Sequence, residues 1–342
     1  MAQTENSRGR NGLLNRAPGT RTIGSVLRAM GIRPRLAVIL VPYIWLTFFF
    51  MIPFVIVLKI SLAQYAIAQP PYSPLLVCAD AAMTSTWDCL WSGQLSIHLS
   101  TQAYVSIVSE PGVAFYDTLY VRAYWNSVVT AFFSTFICLL IGYPMAYGIA
   151  RSRTTVRNLL MMMIILPFWT SFLIRIYAWM GLLKDHGIIN NALIWLGVID
   201  QPLAMMNTQF AVYIGIVYSY LPFMILPLYA NLEKMDLTLL EAAEDLGCKP
   251  LKAFFVITVP LSFPGIIAGS MLVFIPAVGE YVIPELLGGS NTVMIGRELV
   301  NVFYQNRDWP AASALAIAVL ILLVVPITLY QYYQNKEAEA GK

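Results

Sequence analysis

Few side chains of this chain have the type and spacing needed for chemistry, and they favour neither catalysis nor metal binding. The candidates for thiol or metal chemistry are Cys78, Cys89, Cys138, Cys248, His98 and His186. No CxxC pair or Cys/His ligand spacing occurs, so we expect no zinc site. The sequence also lacks GxxxxGK[ST], HExxH and GxSxG, the motifs of phosphate cradles, zinc proteases and serine hydrolases. We predict that the chain is not an enzyme, and that its energy comes from a partner or an ion gradient.

The composition is that of a membrane protein. Of the 342 residues, 58% are hydrophobic and only 11% are charged, whereas about 25% of the residues in an average soluble domain are charged. The mean hydropathy is +0.69. This composition excludes a disordered chain, a coiled coil and a nucleic-acid-binding module, and no nucleic acid partner is expected.

Six stretches are long and apolar enough to cross a membrane, which takes about 20 mostly apolar residues. They cover roughly residues 36–62, 125–149, 158–182, 209–231, 262–286 and 311–333. The third carries Arg175 and the fifth carries Glu280, so these two are less uniformly apolar. We predict an all-α polytopic membrane protein with six transmembrane helices, kinked at several prolines.

The distribution of Lys and Arg predicts that both termini are cytoplasmic. With the N-terminus inside, most of the 21 basic residues lie on the cytoplasmic side, in agreement with the positive-inside rule. The basic tail from Arg8 to Arg35 fits this orientation and is also suited to contact anionic membrane lipid. The outer side then carries an excess of acidic residues. This excess either concentrates a cationic solute or follows from the topology alone.

The long loop after the first span contains two of the cysteines. Cys78 and Cys89 lie in its predicted periplasmic part, where an oxidising compartment permits a disulfide. Two separate thiols are the alternative. Cys138 lies in the second span and is predicted to be part of the core, whereas Cys248 lies in a cytoplasmic loop and should stay reduced.

The cytoplasmic loop between the fourth and fifth spans has the pattern of a compact helical hairpin. Asp236 is placed to cap a helix N-terminus, Gly247 to end that helix in a left-handed turn, and Pro250 to begin a second one. The apolar stripe expected between them consists of Leu239, Leu240, Ala243 and Leu246. An apolar hairpin of this kind is either a docking surface for a soluble partner or an amphipathic connector at the lipid interface.

This loop resembles the EAA loop of permease subunits of type I ABC importers. The residues that carry the resemblance are Glu241, Ala242, Ala243, Gly247, Ile257 and Pro260, with Val259 where the family usually has Leu. The family resemblance extends over roughly residues 122–330. It implies the type I ABC importer permease fold, in which the first EAA helix inserts into a groove on a cytoplasmic ATPase. Glu241 would then make polar contacts with the ATPase, and Gly247 would permit the turn.

The resemblance also implies a domain map and a set of partners. The map comprises a basic cytoplasmic tail (1–35), a first transmembrane helix (36–62), a periplasmic loop (63–121), a permease core (122–333) with its EAA coupling loop (236–260), and a cytoplasmic tail (334–342). The partners would be two ABC ATPase subunits, a second homologous permease subunit and a periplasmic polyamine-binding protein. This chain would bind no cofactor, because ATP and Mg belong to the ATPase subunits. The location would be the bacterial inner membrane.

A narrower resemblance links the chain to polyamine permeases, closer to the putrescine type than to the spermidine type. It is carried by the segments 166–181, 196–203, 274–289 and 306–310. A polyammonium ion needs spaced carboxylates and aromatic faces along its path. The carboxylates and aromatic residues that fit this need are Glu280, Glu285, Tyr281, Trp169, Tyr177 and Trp179. Arg175 is a cation in the third span at a depth similar to that of Glu280.

Each of these path residues also has a structural interpretation. An ionisable residue in a span is a functional candidate, but Glu280 could instead form an ion pair with Arg175. If the fifth span begins at about Ser262, Glu280 lies 18 residues into it, about 27 Å along the helix. Glu285 could be a solvated residue at the membrane edge, and the aromatic residues could form an interfacial belt.

Three other functions are open at this level. The first is an ABC permease for another solute, such as ferric iron, sulfate or an opine, although an anion would favour Arg or helix N-termini over Glu280. The second is a secondary transporter driven by an ion gradient. The third is a membrane-embedded enzyme, for which the spans offer no converging nucleophile, base or metal ligands.

Overall fold

The computed structural model describes residues 34–78, 95–109 and 112–340. The chain divides into two units, Met1–Lys59 and Ile60–Lys342. In the first unit, helix α1 (Pro34–Leu46) continues through a π-helical turn (Thr47–Met51) into α2 (Ile52–Ser61), which ends just inside the second unit. The stretch Ile39–Ser61 is long and apolar enough to cross a membrane, in agreement with the first predicted span.

The segment after the first span contains a small sheet that an all-α prediction did not include. Strands β1 (Leu76–Cys78) and β2 (Leu95–Ile97) pair antiparallel, with Leu76 opposite Ile97. Helix α3 (Gln102–Val108) follows. Cys78 ends the first strand, but Cys89 lies outside the described residues, so the disulfide between them stays a prediction.

The rest of the described chain is helical, as predicted. Its helices are α4 (Leu119–Arg151), α5 (Thr154–Ile165), α6 (Phe172–Leu183), α7 (Ile188–Trp195), α8 (Gln209–Leu232), α9 (Thr238–Asp245), α10 (Pro250–Ala253), α11 (Val259–Leu261), α12 (Phe263–Val278), α13 (Val282–Leu287), α14 (Ile295–Val300) and α15 (Trp309–Ala340). Short 3-10 segments cover Phe115–Asp117 and Leu166–Trp169, and π-helical segments cover Phe254–Thr258 and Asn301–Gln305.

Each of the six predicted spans has a helical counterpart among the described residues. The first span, which runs through the π-helical turn between α1 and α2, and the helices α4 and α8 meet the length and hydropathy needed to cross a membrane. Two more candidates are bent pairs, and the sixth corresponds to the apolar Trp309–Val325 part of α15. The structure therefore agrees with a polytopic helical membrane protein.

The third and fifth spans are not the continuous helices that hydropathy predicted. The third breaks between Trp169 and Phe172, where its two parts meet at 92°. The fifth is bent by 65° between α11 and α12, and α12 ends at Val278. Glu280 therefore lies two residues beyond the end of α12, in the non-helical break before α13.

Helices α4, α8 and α12 form the centre of the second unit. Buried side chains of α8, among them Ile216, Ile225 and Leu228, pack against its neighbours on both sides. Polar contacts support this packing within the apolar surroundings. The Gln209 side chain donates to the Thr130 hydroxyl at 2.7 Å, and the Ser127 hydroxyl accepts from the backbone N–H of Ile295 at 2.8 Å. Cys138 is buried in this core, as predicted.

Candidate functional site

The predicted EAA loop folds as a helix with a capped N-terminus. A side-chain oxygen of Asp236 accepts the backbone N–H of Thr238, the first residue of α9, at 3.0 Å. An acidic residue at this position satisfies one of the free donors of the first turn. Glu241 lies in the same first turn, where the partial positive charge of the helix end favours a carboxylate. The start of the helix is thus fixed by local interactions.

The end of α9 is a Schellman turn centred on Gly247. Gly247 has φ +78°, a left-handed conformation that is costly for residues with a side chain. The N–H of Cys248 donates to the carbonyl of Ala243 at 2.9 Å, and the N–H of Gly247 to that of Glu244 at 2.8 Å. These two bonds define the motif. Pro250 then begins α10, where its missing N–H has no consequence.

The outward surface of this loop is apolar but is not the single stripe expected from the sequence. Leu239 and Leu246 are 46% and 89% exposed, and Leu251 is 72% exposed. Ala243 is buried, so it points to the other side of α9 and packs inward. Glu241 and Ala242 are exposed on the helix. These exposed leucines, together with the carboxylate of Glu241, form a surface suited to a protein partner.

The inner side of the loop is anchored to α4 by aromatic rings. The Phe254 ring lies edge-on between Tyr143 and Tyr147, at 5.5 Å between centroids in each case. The Tyr143 hydroxyl also shares a hydrogen bond of 2.7 Å with the Ser262 hydroxyl. Edge-to-face pairs each add about 0.5–1.5 kcal/mol beyond area burial. Sequence reasoning missed this anchor, although the i, i+4 spacing of the two tyrosines places them on one helix face.

The other residues of the EAA pattern occupy the connection between this anchor and α12. Ile257 lies half-buried in the π-helical segment Phe254–Thr258, and Pro260 lies exposed in α11. A second contact on this side joins α5 to the end of α8 through an ion pair between Arg157 and Glu233. The loop is therefore held to α4 by the aromatic contact of Phe254. The ion pair of Glu233 fixes the end of α8, just before the loop begins.

Glu280 is buried and fully engaged by donors of the protein itself. Only 7% of it is exposed. One carboxylate oxygen accepts a hydrogen bond from the Tyr220 hydroxyl, and the other accepts the backbone N–H groups of Val282 at 3.1 Å and Ile283 at 3.3 Å. The side chain therefore caps the N-terminus of α13 and ties it to α8.

The alternative ion pair between Glu280 and Arg175 is wrong, because these two described residues are not paired. The Arg175 guanidinium instead lies over the rings of Phe168 at 5.4 Å and Phe172 at 5.7 Å, which are cation–π contacts. Its Nε is buried without a hydrogen-bond partner. Arg175 thus stabilises the elbow of the third span, at the step from Leu166–Trp169 to α6.

Glu285 is paired rather than free in solvent. Its carboxylate lies 2.8 Å from Nε of Arg297, and Nη1 of Arg297 donates to the carbonyl of Gly289 at 3.1 Å. This pair joins α13 to α14, and sequence reasoning did not include Arg297. Burial raises the pKa of the neighbouring Glu298 above its usual range, while Arg297 opposes that shift.

A close backbone approach holds α14 against the break that precedes α13. A Cβ added to Gly296 would lie 2.4 Å from the carbonyl oxygen of Gly279 and 2.5 Å from that of Glu280. Both contacts are to backbone atoms, so no side-chain movement can relieve them. Only glycine fits here. The break that carries Glu280 is thus packed directly against the first turn of α14.

The predicted aromatic residues lie in different environments. Trp169 is 77% exposed and Tyr177 is 56% exposed, whereas Trp179 is half-buried with its ring 5.4 Å from that of Tyr218. Tyr281 is half-buried beside Glu280. The structure does not gather these side chains into one aromatic wall.

Comparison with known proteins identifies the family. The model for binding-protein-dependent transport system inner membrane components matches residues 138–338. The spermidine/putrescine transport system permease protein PotB of Haemophilus influenzae is 43% identical over 221 residues, covering 65% of this chain and 77% of that protein. PotB of Escherichia coli is 44% identical over 228 residues, covering 65% of this chain and 82% of that protein.

Comparison with solved structures supports the same fold. A chain from the crystal structure of a bacterial ABC transporter involved in the import of the acidic polysaccharide alginate aligns with a TM-score of 0.60 at 16% identity, covering 93% of this chain and 98% of that one. At this identity the similarity concerns the fold alone. Together with the family match, it identifies the chain as a multi-pass protein of the bacterial inner membrane that belongs to the family of binding-protein-dependent transport system inner membrane components.

Proposed function

We propose that this chain is the transmembrane permease subunit of an ATP-driven ABC importer that moves polyamines, putrescine in particular, from periplasm to cytoplasm. The observation that carries the proposal is the similarity to two PotB permeases, at 43% and 44% identity over most of their length. The chain would bind no nucleotide itself. ATP and Mg would be held by two ATPase subunits, and a second, homologous permease would complete the pathway below a periplasmic polyamine-binding protein.

The EAA loop is the proposed contact with the ATPase. Glu241 and the exposed leucines of this loop would lie in the ATPase groove, while Gly247 holds the turn that directs the chain back to the membrane. Because Phe254 is fixed between Tyr143 and Tyr147, displacement of this loop would be passed to α4. Closure of the ATPase pair would thereby change the positions of the spans.

We propose an orientation with both termini and the EAA loop in the cytoplasm. The excess of Lys and Arg on that side supports it. The break before α13, Glu285 and the segment that contains α7 then lie on the periplasmic side. In this arrangement the solute would enter past acidic side chains, which attract a polyammonium ion.

The contacts of the proposed path residues lead us to divide them into three roles. Glu285 and Tyr281 are accessible enough to meet a cation in this conformation, since Glu285 is exposed and Tyr281 half-buried. Glu280 is a positioning residue, because its carboxylate holds α13, the helix that carries Glu285. Trp169, Arg175, Tyr177 and Trp179 would act through the elbow of the third span.

Uptake of labelled putrescine by the assembled complex tests the proposal. The chain would be expressed with its neighbouring transport genes in cells lacking polyamine uptake, and excess spermidine, ferric iron or sulfate would be added as competitors. We expect saturable uptake that polyamines alone block. Competition by ferric iron or sulfate would assign another solute. Uptake that is lost when the ATPase subunit is inactivated, but not when an uncoupler is added, would indicate ATP-driven import. Uptake that an uncoupler abolishes and that persists without the ATPase subunit would indicate a secondary transporter.

A further inference from the structure

The guanidinium of Arg297 is held by two acceptors, one in α13 and one in the segment that follows it. Its Nε lies 2.8 Å from a carboxylate oxygen of Glu285, and its Nη1 donates to the backbone carbonyl of Gly289 at 3.1 Å. An arginine that donates to two acceptors from its planar fork is fixed in orientation as well as in position. The Glu285 carboxylate is therefore occupied by a cation of the protein itself.

The backbone on both sides of this ion pair is closely packed. A Cβ added to Gly289 would lie 2.3 Å from the backbone oxygen of Asn207, so the carbonyl that accepts from Arg297 belongs to a segment in close backbone contact. Gly296, the residue before Arg297, is packed in the same way against the backbone of Glu280. The positions of donor and acceptors are therefore set by the fold.

The ion pair is nevertheless accessible from solvent. The side chain of Glu285 is 39% exposed and that of Arg297 is 25% exposed, so a dissolved cation can reach the carboxylate without unfolding either helix. A partly exposed ion pair contributes little to stability, because water screens it. The attraction between these two side chains is thus weak enough for another cation to replace Arg297.

A second carboxylate shares the charge of Arg297. Glu298 follows Arg297 directly in α14 and is half-buried. Burial raises the pKa of Glu298, the charge of Arg297 lowers it, and the charge of Glu285 raises it again. The three groups therefore interact electrostatically. Because two carboxylates face one guanidinium, the surroundings of Arg297 favour the approach of a further cation over that of an anion.

We propose that Arg297 is a positioning residue that holds Glu285 while no cargo is present and that an ammonium group of the cargo displaces it. This inference rests on the proposed function, in which Glu285 lies on the periplasmic side and meets a polyammonium ion. Since one ion pair replaces another, the carboxylate always has a counter-cation. A neutral or anionic solute cannot replace the guanidinium, so Arg297 would discriminate against such solutes.

Equilibrium binding of labelled putrescine to the purified permease complex in nanodiscs tests this competition. The periplasmic binding protein is omitted, so that putrescine can bind only to the complex. Arg297→Gln removes the competing charge and should tighten putrescine binding about two- to fivefold, the factor that corresponds to a partly exposed ion pair. Replacement of a residue that only supported the structure would weaken binding instead. Arg297→Lys keeps the charge and should bind putrescine as the unaltered complex does.

Arg122→Gln is the matched control for the loss of a positive charge. Arg122 is exposed near the start of α4, on the same side of the membrane in the proposed orientation, and it forms no ion pair with any residue that the structure describes. Its replacement should leave the affinity for putrescine unchanged. In complexes that also carry Glu285→Gln, Arg297→Gln should have no larger effect than Arg122→Gln, because the carboxylate for which the cations compete is gone.

Putrescine binding by Arg297→Gln that is equal to or weaker than that of the unaltered complex would overturn the inference. Equal tightening by Arg297→Lys and Arg297→Gln would also overturn it, because the lost hydrogen bond to Gly289 rather than the charge would then be responsible. Uptake of putrescine by cells with the unaltered complex is measured in parallel. Uptake without a change of affinity in Arg297→Gln overturns the inference and leaves the proposed function standing. Absence of both uptake and binding in the unaltered complex would overturn the proposed function, and with it the inference.

Discussion

Replacement of Gly247 tests whether the left-handed turn after α9 is needed for coupling. The residue has φ +78°, and a Cβ added there would meet no heavy atom within 4 Å. A side chain is thus penalised by backbone conformation and not by contacts. The informative series is Gly247→Asn, Gly247→Ala and Gly247→Val, because asparagine tolerates the left-handed region and a β-branched residue does not.

The expected magnitude follows from that conformational cost. A left-handed L-residue costs about 1–2 kcal/mol, which lowers the ratio of loops with the correct turn to loops without it by a factor of about 5–30. This factor is the upper limit for the loss of uptake that we expect for Ala, and the loss should be larger for Val. Asn should stay within a few-fold of the unaltered chain, since Asn is the second most common residue at this helix position.

The assay is the initial rate of labelled putrescine uptake in proteoliposomes, together with ATP hydrolysis by the same preparation. Thermal unfolding of the permease should change little across the series, since the site lies at an exposed turn. Uptake by Gly247→Val at the rate of the unaltered protein would refute the reasoning. A loss of uptake by Gly247→Asn equal to that of Gly247→Val would also refute it, because side-chain size rather than conformation would then be responsible.

Three other predictions concern the periplasmic half as we orient it. Tyr220→Phe and Glu280→Gln should each lower the thermal stability of the complex by about 1.5–3 kcal/mol, and a double-mutant cycle that shows additive losses would contradict a direct bond between them. Gly296→Ala should destabilise the permease strongly because the added carbon meets backbone oxygens, whereas Gly181→Ala, which meets nothing within 4 Å, should not; equal melting temperatures for both would be inconsistent with this packing. Arg297→Gln should cost at most about 1 kcal/mol in stability because its ion pair is partly exposed, and a larger loss in a thermal-shift assay would show that its hydrogen bond to backbone matters more than the pair.

The local features of the EAA loop were predictable because they depend on neighbouring residues. An acidic cap at Asp236, a left-handed turn at Gly247 and a new helix at Pro250 all follow from rules that act over a few positions. All three appear in the structure. Which leucines face outward was less predictable, because α9 has only eight residues and its orientation is set by the packing of Ala243.

The breaks in the third and fifth spans were not predictable from hydropathy. An apolar run stays apolar whether the backbone within it is helical or not, so Glu280 was assigned to a helix that ends two residues before it. Gly279 and Pro284 on either side were the available signals for a break. The partner of Glu280 is Tyr220, 60 residues away, and such a long-range contact depends on tertiary packing that no local pattern records.

The elbow of the third span also has a consequence for how the protein is inserted during synthesis. The 16 residues of Thr154–Trp169, twelve in α5 and four in the 3-10 turn, extend about 24 Å if fully α-helical, less than the roughly 30 Å of a bilayer core. Helix α6 is shorter still and carries Arg175. Neither arm is a good substrate for a translocon acting on one segment at a time. We therefore expect α4 to wait at the translocon until α8 has been synthesised, so that the broken span enters the bilayer between two helices already able to pack against it.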